Sequence, residues 1–227
     1  MSTAELADRD IRQRSLVPPE RLVRVHAVVI GVGAVGRQAA LQLAALGVPK
    51  LTLVDFDTVE VANLAPQGFR PDDLGRTKVE AVAEVCHDVN PMLDLETVAD
   101  RFRRPMVRDW QGSGDLAVFC CVDSIAARKA IWDAVRERAD FWADARMSGE
   151  VVRVLACGSP GSDRHYATSL FSPERAFAGS CTAKGTIYAA GIAAGLMLSA
   201  LAKWLRRLPV EPDLTLNLLA AEMTVVG

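Results

Sequence analysis

The sequence offers no cysteine framework. Its five cysteines, at positions 86, 120, 121, 157 and 181, form no C-x-x-C pair. An odd, irregularly spaced set fits a reducing compartment and argues against a disulfide-built secreted fold. Charge excess is also missing: Lys+Arg 26 against Asp+Glu 28 leaves a formal net charge of -2. Nucleic acid is therefore not an expected general partner. The opening segment MSTAELADRDIRQRS has no apolar signal core, which argues for a cytoplasmic protein. The most apolar stretch, residues 187–202, is 16 residues of mostly small side chains, with Lys203 directly after it. That predicts a buried helix, not a membrane span. No linker composition or internal repeat divides the chain.

Half of the residues are hydrophobic and 24% are charged, an ordinary globular balance. Residues 1–20 read as a polar arm closed by Val17-Pro18-Pro19. Apolar runs at 25–30, 51–54, 93–98 and 116–122 predict strands, and helical patterns at 35–46, 74–89 and 125–139 lie between them. Gly47 and Asn90-Pro91 mark helix ends. This alternation predicts an α/β, Rossmann-like, mainly parallel sheet with helices on both faces. After about residue 140 the pattern changes. Strands at 141–144 and 150–157 and a terminal strand in DLTLNLLAAEMTVVG predict an antiparallel extension of the same sheet.

Gly31, Gly33 and Gly36 have G-x-G-x-x-G spacing between a strand and a helix. That context suits a turn whose backbone N–H groups meet a ligand phosphate. Asp55 follows 24 residues after Gly31, at the end of the next strand, where a carboxylate meets ribose hydroxyls. NAD and ATP both satisfy these residues. Asp57 is a second acid with no obvious use in an NAD site; it is either a turn residue or helix cap, or a helper of metal or loop order. Residues 57–75 form a connection longer than usual. Beyond it, Lys78 opens a helix and can point back at a phosphate. Asp123 ends an apolar strand on the ligand-binding edge, where an acid can hold Mg²⁺ on a polyphosphate. Arg128, five residues on, could brace the site or make a surface salt bridge.

Together these stretches resemble the ThiF/HesA family, the E1-like adenylyltransferases that include molybdopterin-synthase adenylyltransferase and the core of ubiquitin-activating enzymes. The resemblance spans roughly residues 9–206, through RDIRQ (9–13), VVIGVGAVG (28–36), LTLVDFDTVEVANLAPQ (51–67), LGRTKVEA (74–81), CVDSIAAR (121–128) and SCTAKG (180–185). It implies a single ATP-binding adenylation domain over residues 21–227. It implies that Asp55 binds the ATP ribose, that Asn63 and Gln67 line the nucleotide loop, that Lys78 contacts the phosphates and that Asp123 coordinates Mg²⁺. Arg12 matches a segment that in relatives reaches the partner subunit's ATP site, which implies a homodimer with the arm crossing over. Cys181 matches a cysteine used by many members for thioester or persulfide chemistry. The implied substrate is a ubiquitin-like or sulfur-carrier protein ending in Gly-Gly, with no nucleic-acid or membrane partner.

The chain departs from the family in two places. The family loop reads like Asn-Leu-x-Arg-Gln, whereas this chain reads NLAPQ, with Pro66 in place of the arginine. Arg70 or Arg76 could replace that charge from a shifted position. Many relatives hold a structural zinc with two C-x-x-C pairs; none is present, so no such zinc is expected. Cys181, in a small-residue loop before a helix and near Lys184, is placed for a lowered thiol pKa. Arg101, Arg103, Arg104 and Arg108 with Trp110 form a basic cluster, either a solvated helix end or a dock for an acidic carrier. Two other functions stay open: a non-catalytic nucleotide-binding subunit of a heterodimer, motivated by Pro66, and an NAD-linked oxidoreductase. The second would need a catalytic His or Tyr, and His165-Tyr166 reads as part of a polar loop.

Overall fold

A computed structural model describes residues 9–110, 112, 114–158, 162–170 and 185–226. In chain order, the elements are α1 (Pro19–Leu22), β1 (Val25–Ile30), α2 (Ala34–Leu46), β2 (Lys50–Val54), α3 (Leu64–Gln67), α4 (Lys78–Val89), β3 (Asp94–Val98), β4 (Asp115–Cys120), α5 (Ile125–Val135), β5 (Phe141–Ser148), β6 (Val151–Cys157), α6 (Ser162–Thr168), α7 (Ile187–Leu205), β7 (Asp213–Asn217) and β8 (Glu222–Val226). Short 3₁₀ turns occupy Val61–Asn63, Pro71–Asp73 and Arg104–Arg108.

The eight strands form one sheet in the order β3-β2-β1-β4-β5-β6-β7-β8. The pairs from β3 to β5 are parallel, and those from β5 to β8 are antiparallel. This is the α/β architecture expected from the alternating pattern. The chain runs outward from β1 to β3 and returns to β4 on the other side of β1. The loop after β1 therefore lies at the switch point, where ligands bind beyond the strand ends.

Alternating side chains divide the core into two layers. Val25, Ala27 and Val29 of β1 pack with Leu43, Val82 and Ala193 of α2, α4 and α7. Val28 and Ile30 face the other way, toward Ile131 and Trp132 of α5 and Tyr166 of α6. The apolar helix α7 packs against α2, β5 and β6. Its small residues Ala189, Ala190, Ala193 and Ala194 are buried there, which is why alanine dominates the run.

Several boundaries differ from the sequence reading. α4 starts at Lys78 because Thr77 takes the N-cap and accepts a bond from Glu80 N–H. α5 stops at Val135, and β4 stops at Cys120. β5 runs on to Ser148, pairing with β6 throughout. The terminal segment forms two strands, β7 and β8, not one. His165 and Tyr166 lie on α6, not in a loop, and Tyr166 is buried beneath Trp132 and Trp142.

Candidate active site

The glycine loop is shaped by two close contacts. Gly31 has φ +86°, in the left-handed region, and a Cβ there would meet Cys121 O at 2.8 Å. A Cβ on Gly36 would lie 1.8 Å from Gly31 O, so α2 can sit this close only with a hydrogen at that position. Side-chain oxygens cap α4, α5 and α7. The N-cap of α2 is Gly33, with no side-chain cap, so its first N–H groups remain available to an acceptor. The Gln67 amide covers Gly33, with Oε1 3.7 Å from where a Cβ would stand. That oxygen is buried and has no hydrogen-bond partner among the described residues.

Asp55 is buried at the end of β2. Its Oδ2 accepts Val32 N–H at 2.5 Å and its Oδ1 accepts Asp57 N–H at 2.8 Å. The carboxylate thus ties the glycine loop to β2 while keeping lone pairs free for hydroxyl donors. Lys78 is buried in the first turn of α4, and its Nζ donates to Asp57 Oδ2 at 3.0 Å. An antiparallel bridge between Thr58 and Thr77 brings the two together. Asp57 is therefore the residue that holds the lysine in place. Asn63 sits at the end of a 3₁₀ turn, its Oδ1 accepting Glu60 N–H at 3.0 Å.

On the other side of β1, Asp123 follows β4 and is exposed. It makes no hydrogen bond or ion pair among the described residues. Arg128 corrects the surface-salt-bridge alternative, for it is buried. It donates to Ala145 O at 3.1 Å and to Val122 O, and pairs with Asp144. Asp144 is also held by Arg146 Nε and the Tyr166 hydroxyl, each at 3.0 Å. Burial lowers the Arg128 pKa, and burial also pushes the Tyr166 hydroxyl up. Arg128 thus braces the peptide just before Asp123 from beneath.

The arginines offered as substitutes for the one missing at Pro66 are already engaged. Arg70 Nη2 donates to Asp73 at 3.1 Å and to Glu84 at 2.8 Å; Arg76 Nη1 donates to the same two at 3.3 and 2.7 Å. They lock the 57–78 connection onto α4. Sequence reasoning missed another cation, Arg37. It is buried one residue after Gly36, its guanidinium over the Phe69 ring at 5.4 Å, and it makes no ion pair among the described residues. Burial lowers its pKa. The signal was a charge in the first turn of an alanine-rich helix. In the basic cluster, Trp110 is buried against Phe102, and Arg103 pairs with Asp100.

Arg12 is exposed on a segment that docks at the far end of α2: Arg9 and Gln13 donate to Ala44 O and Leu46 O. It is not brought to the glycine loop of its own chain. Cys181 lies outside the described residues. Cys86, Cys120 and Cys157 are buried, and burial pushes the Cys86 and Cys157 thiols up to about 12. Among the described residues, no three His, Cys, Asp or Glu side chains are grouped to hold a metal.

Residues 8–224 match the family model described as the ThiF family. The ubiquitin-like modifier-activating enzyme 5 of Arabidopsis thaliana is 32% identical over 148 residues, 59% of this chain and 34% of that protein. The chain thus spans about a third of the length of that curated relative. Among solved structures, PaaA superposes with a TM-score of 0.78 at 20% identity, covering 100% of this chain and 74% of the other. The E. coli MccB structure with AMPCPP and MccA gives 0.73 at 16% identity, covering 97% and 71%. MccB has also been solved with ATP. At these identities the two solved proteins show a shared fold.

Proposed function

The chain belongs to the ThiF family, and from that premise we propose that it adenylates the C-terminal carboxylate of a ubiquitin-like or sulfur-carrier protein with ATP. The observation that carries the reading is the set gathered at the switch point. An uncapped α2 N-terminus lies under Gln67, Asp55 is wired to the glycine loop, and Lys78 is held by Asp57.

The residues divide the work. Asp55 accepts hydrogen bonds from the ribose hydroxyls. The α2 N–H groups, Lys78 and Arg37 offset phosphate charge, with Arg37 supplying what Pro66 lacks. A Gln67 side chain turned to present its amide N–H₂ donates to the same phosphates. Asp123 suits Mg²⁺, being an exposed carboxylate with no bonded partner among the described residues; a bound ion would neutralise polyphosphate charge. The carrier's carboxylate oxygen attacks the α-phosphorus, and the bond from that phosphorus to the bridging oxygen breaks. Pyrophosphate leaves and an acyl-adenylate remains. The carboxylate is already ionised at pH 7, so no general base is required. The protein contributes alignment and preorganised charge. In this reading Arg12 serves the site of a second copy, and Cys181 takes a later sulfur or thioester step.

The test is Mg²⁺-dependent ATP–pyrophosphate exchange with a panel of carriers ending in Gly-Gly. Exchange with one carrier supports the reading and names the partner. Tight ATP binding without exchange on any carrier would favour a nucleotide-binding subunit that does not turn over, the alternative that Pro66 motivates. An Arg37→Ala protein with unchanged exchange would remove Arg37 from the phosphate site. A Cys181→Ser protein that forms adenylate but no thioester or persulfide separates the two steps.

A further inference from the structure

The short helix α6 is tied to the sheet by polar side chains. His165 Nε2 lies 2.9 Å from Asp213 Oδ2 on β7, and the Tyr166 hydroxyl donates to Asp144 on β5. Just past the end of the helix, Ser169 takes two bonds from Arg146 of β5. Nη1 donates to Ser169 O at 3.0 Å and Nη2 to Ser169 Oγ at 2.8 Å. Arg146 Nε meanwhile donates to Asp144 Oδ2.

Asp144 and Arg146 stand two apart on β5, so they share a face of the strand. Asp144 is fully buried and also pairs with Arg128; the Arg146 side chain is only 14% exposed. Two guanidiniums thus meet one carboxylate in the interior. Such a triad is a poor source of stability, because desolvation offsets the attraction and apolar side chains of the same size serve as well. What it supplies is direction. Arg146 runs from Ser169 to Asp144, and Arg128 runs from Asp144 to Val122 O. A continuous chain of polar contacts therefore joins the end of α6 to the peptide that precedes Asp123. The Asp123 side chain is exposed and has no bonded partner among the described residues, so its place is set by that backbone.

We propose that Arg146 is a positioning residue for the carboxylate assigned to Mg²⁺: it fastens Asp144 to α6, and through Asp144 and Arg128 it fixes the peptide from which Asp123 projects. The inference rests on the nucleotide-binding reading above. A lysine at this position would keep the charge, but it has no planar fork to span Asp144 and Ser169 together.

The first test needs no ligand and follows hydrogen exchange over residues 121–127 of the full chain. Arg146→Met should speed exchange there while the urea midpoint stays near that of the wild type, because Arg128 and Asp144 remain as a charge-balanced pair. The second is calorimetric titration with ATP, with and without Mg²⁺. Arg146→Met should leave affinity without Mg²⁺ unchanged and cut the gain that Mg²⁺ brings about tenfold. Arg146→Lys should lose as much, and it carries both tests if the methionine protein does not fold. Unchanged exchange over 121–127 overturns the proposal. So does an Arg146→Lys protein with the full Mg²⁺ gain, which assigns the effect to charge, or an equal loss of ATP affinity with and without Mg²⁺, which makes Arg146 merely structural. Wild-type protein that binds ATP equally well with and without Mg²⁺ overturns the assignment of Asp123 itself, and the role of Arg146 with it.

Discussion

Asp55 and Asp123 flank the glycine loop from opposite sides, one after β2 and the other after β4, and they are held in opposite ways. Asp55 is buried with both oxygens bonded to backbone N–H groups. Asp123 is exposed and unbonded among the described residues, and its order comes from Arg128 beneath the preceding peptide. In the proposed function, one residue on the β2 side serves both fold and ligand. On the β4 side the two duties belong to different residues. Substitutions should therefore separate stability from activity on one side and not on the other.

The largest stability effect should come from Arg128→Met. It leaves a buried Asp144 with fewer compensating donors, and breaking a buried pair costs about 3–5 kcal/mol. Urea denaturation measures it; a loss under about 1 kcal/mol, the level of an exposed pair, would mean that the β4 side is not held from beneath. Asp55→Ala should cost about 1–3 kcal/mol by orphaning two backbone donors, and should abolish nucleotide binding as well. A stable Asp55→Ala protein that merely fails to bind would erase the contrast between the two aspartates.

A smaller effect concerns acid. Burial would raise the Asp73 carboxyl, but Arg70 and Arg76 outweigh it, and the same arginines draw Glu84 below its usual value. Folded values depressed in this way stabilise the protein above the unfolded carboxylate range. That stability is lost as pH falls through the folded values, below about pH 4. Acid titration should release the 57–78 connection first, and hydrogen exchange at Val59 and Gly75 would report it. Asp73→Asn should move the release to higher pH. The smallest change in stability, within about 0.5 kcal/mol, belongs to Asp123→Asn. Pyrophosphate exchange should nonetheless fall about 10²-fold.

Much of this edge was legible in the sequence because it is local. Glycine spacing, strand runs and the acid closing β2 all lie within short windows, and the burial of β1 on both faces follows from its continuous apolar run. What escaped depends on distant partners. Lys78 and Asp57 are 21 residues apart and meet through the Thr58–Thr77 bridge. Arg70 and Arg76 looked free until Glu84 on α4 came to face them. Phe56 and Arg101 belong to different strand ends and meet only because β2 and β3 pair in register. α6 has seven residues, too few to show a period, and its buried tyrosine reads as a loop residue.

The contact between Gly36 and Gly31 bears on which substitutions this chain can tolerate. Gly75 has φ +81° with nothing within 4 Å of a would-be Cβ, so its requirement is torsional, and asparagine can meet it in part. Gly36 is different: the space a methyl would need is already filled by the carbonyl of Gly31. No rotamer choice relieves that, and a single added carbon must push the whole of α2 outward, carrying its N–H groups away from the end of β1. Descendants of this sequence can therefore drift at the one glycine and not at the other.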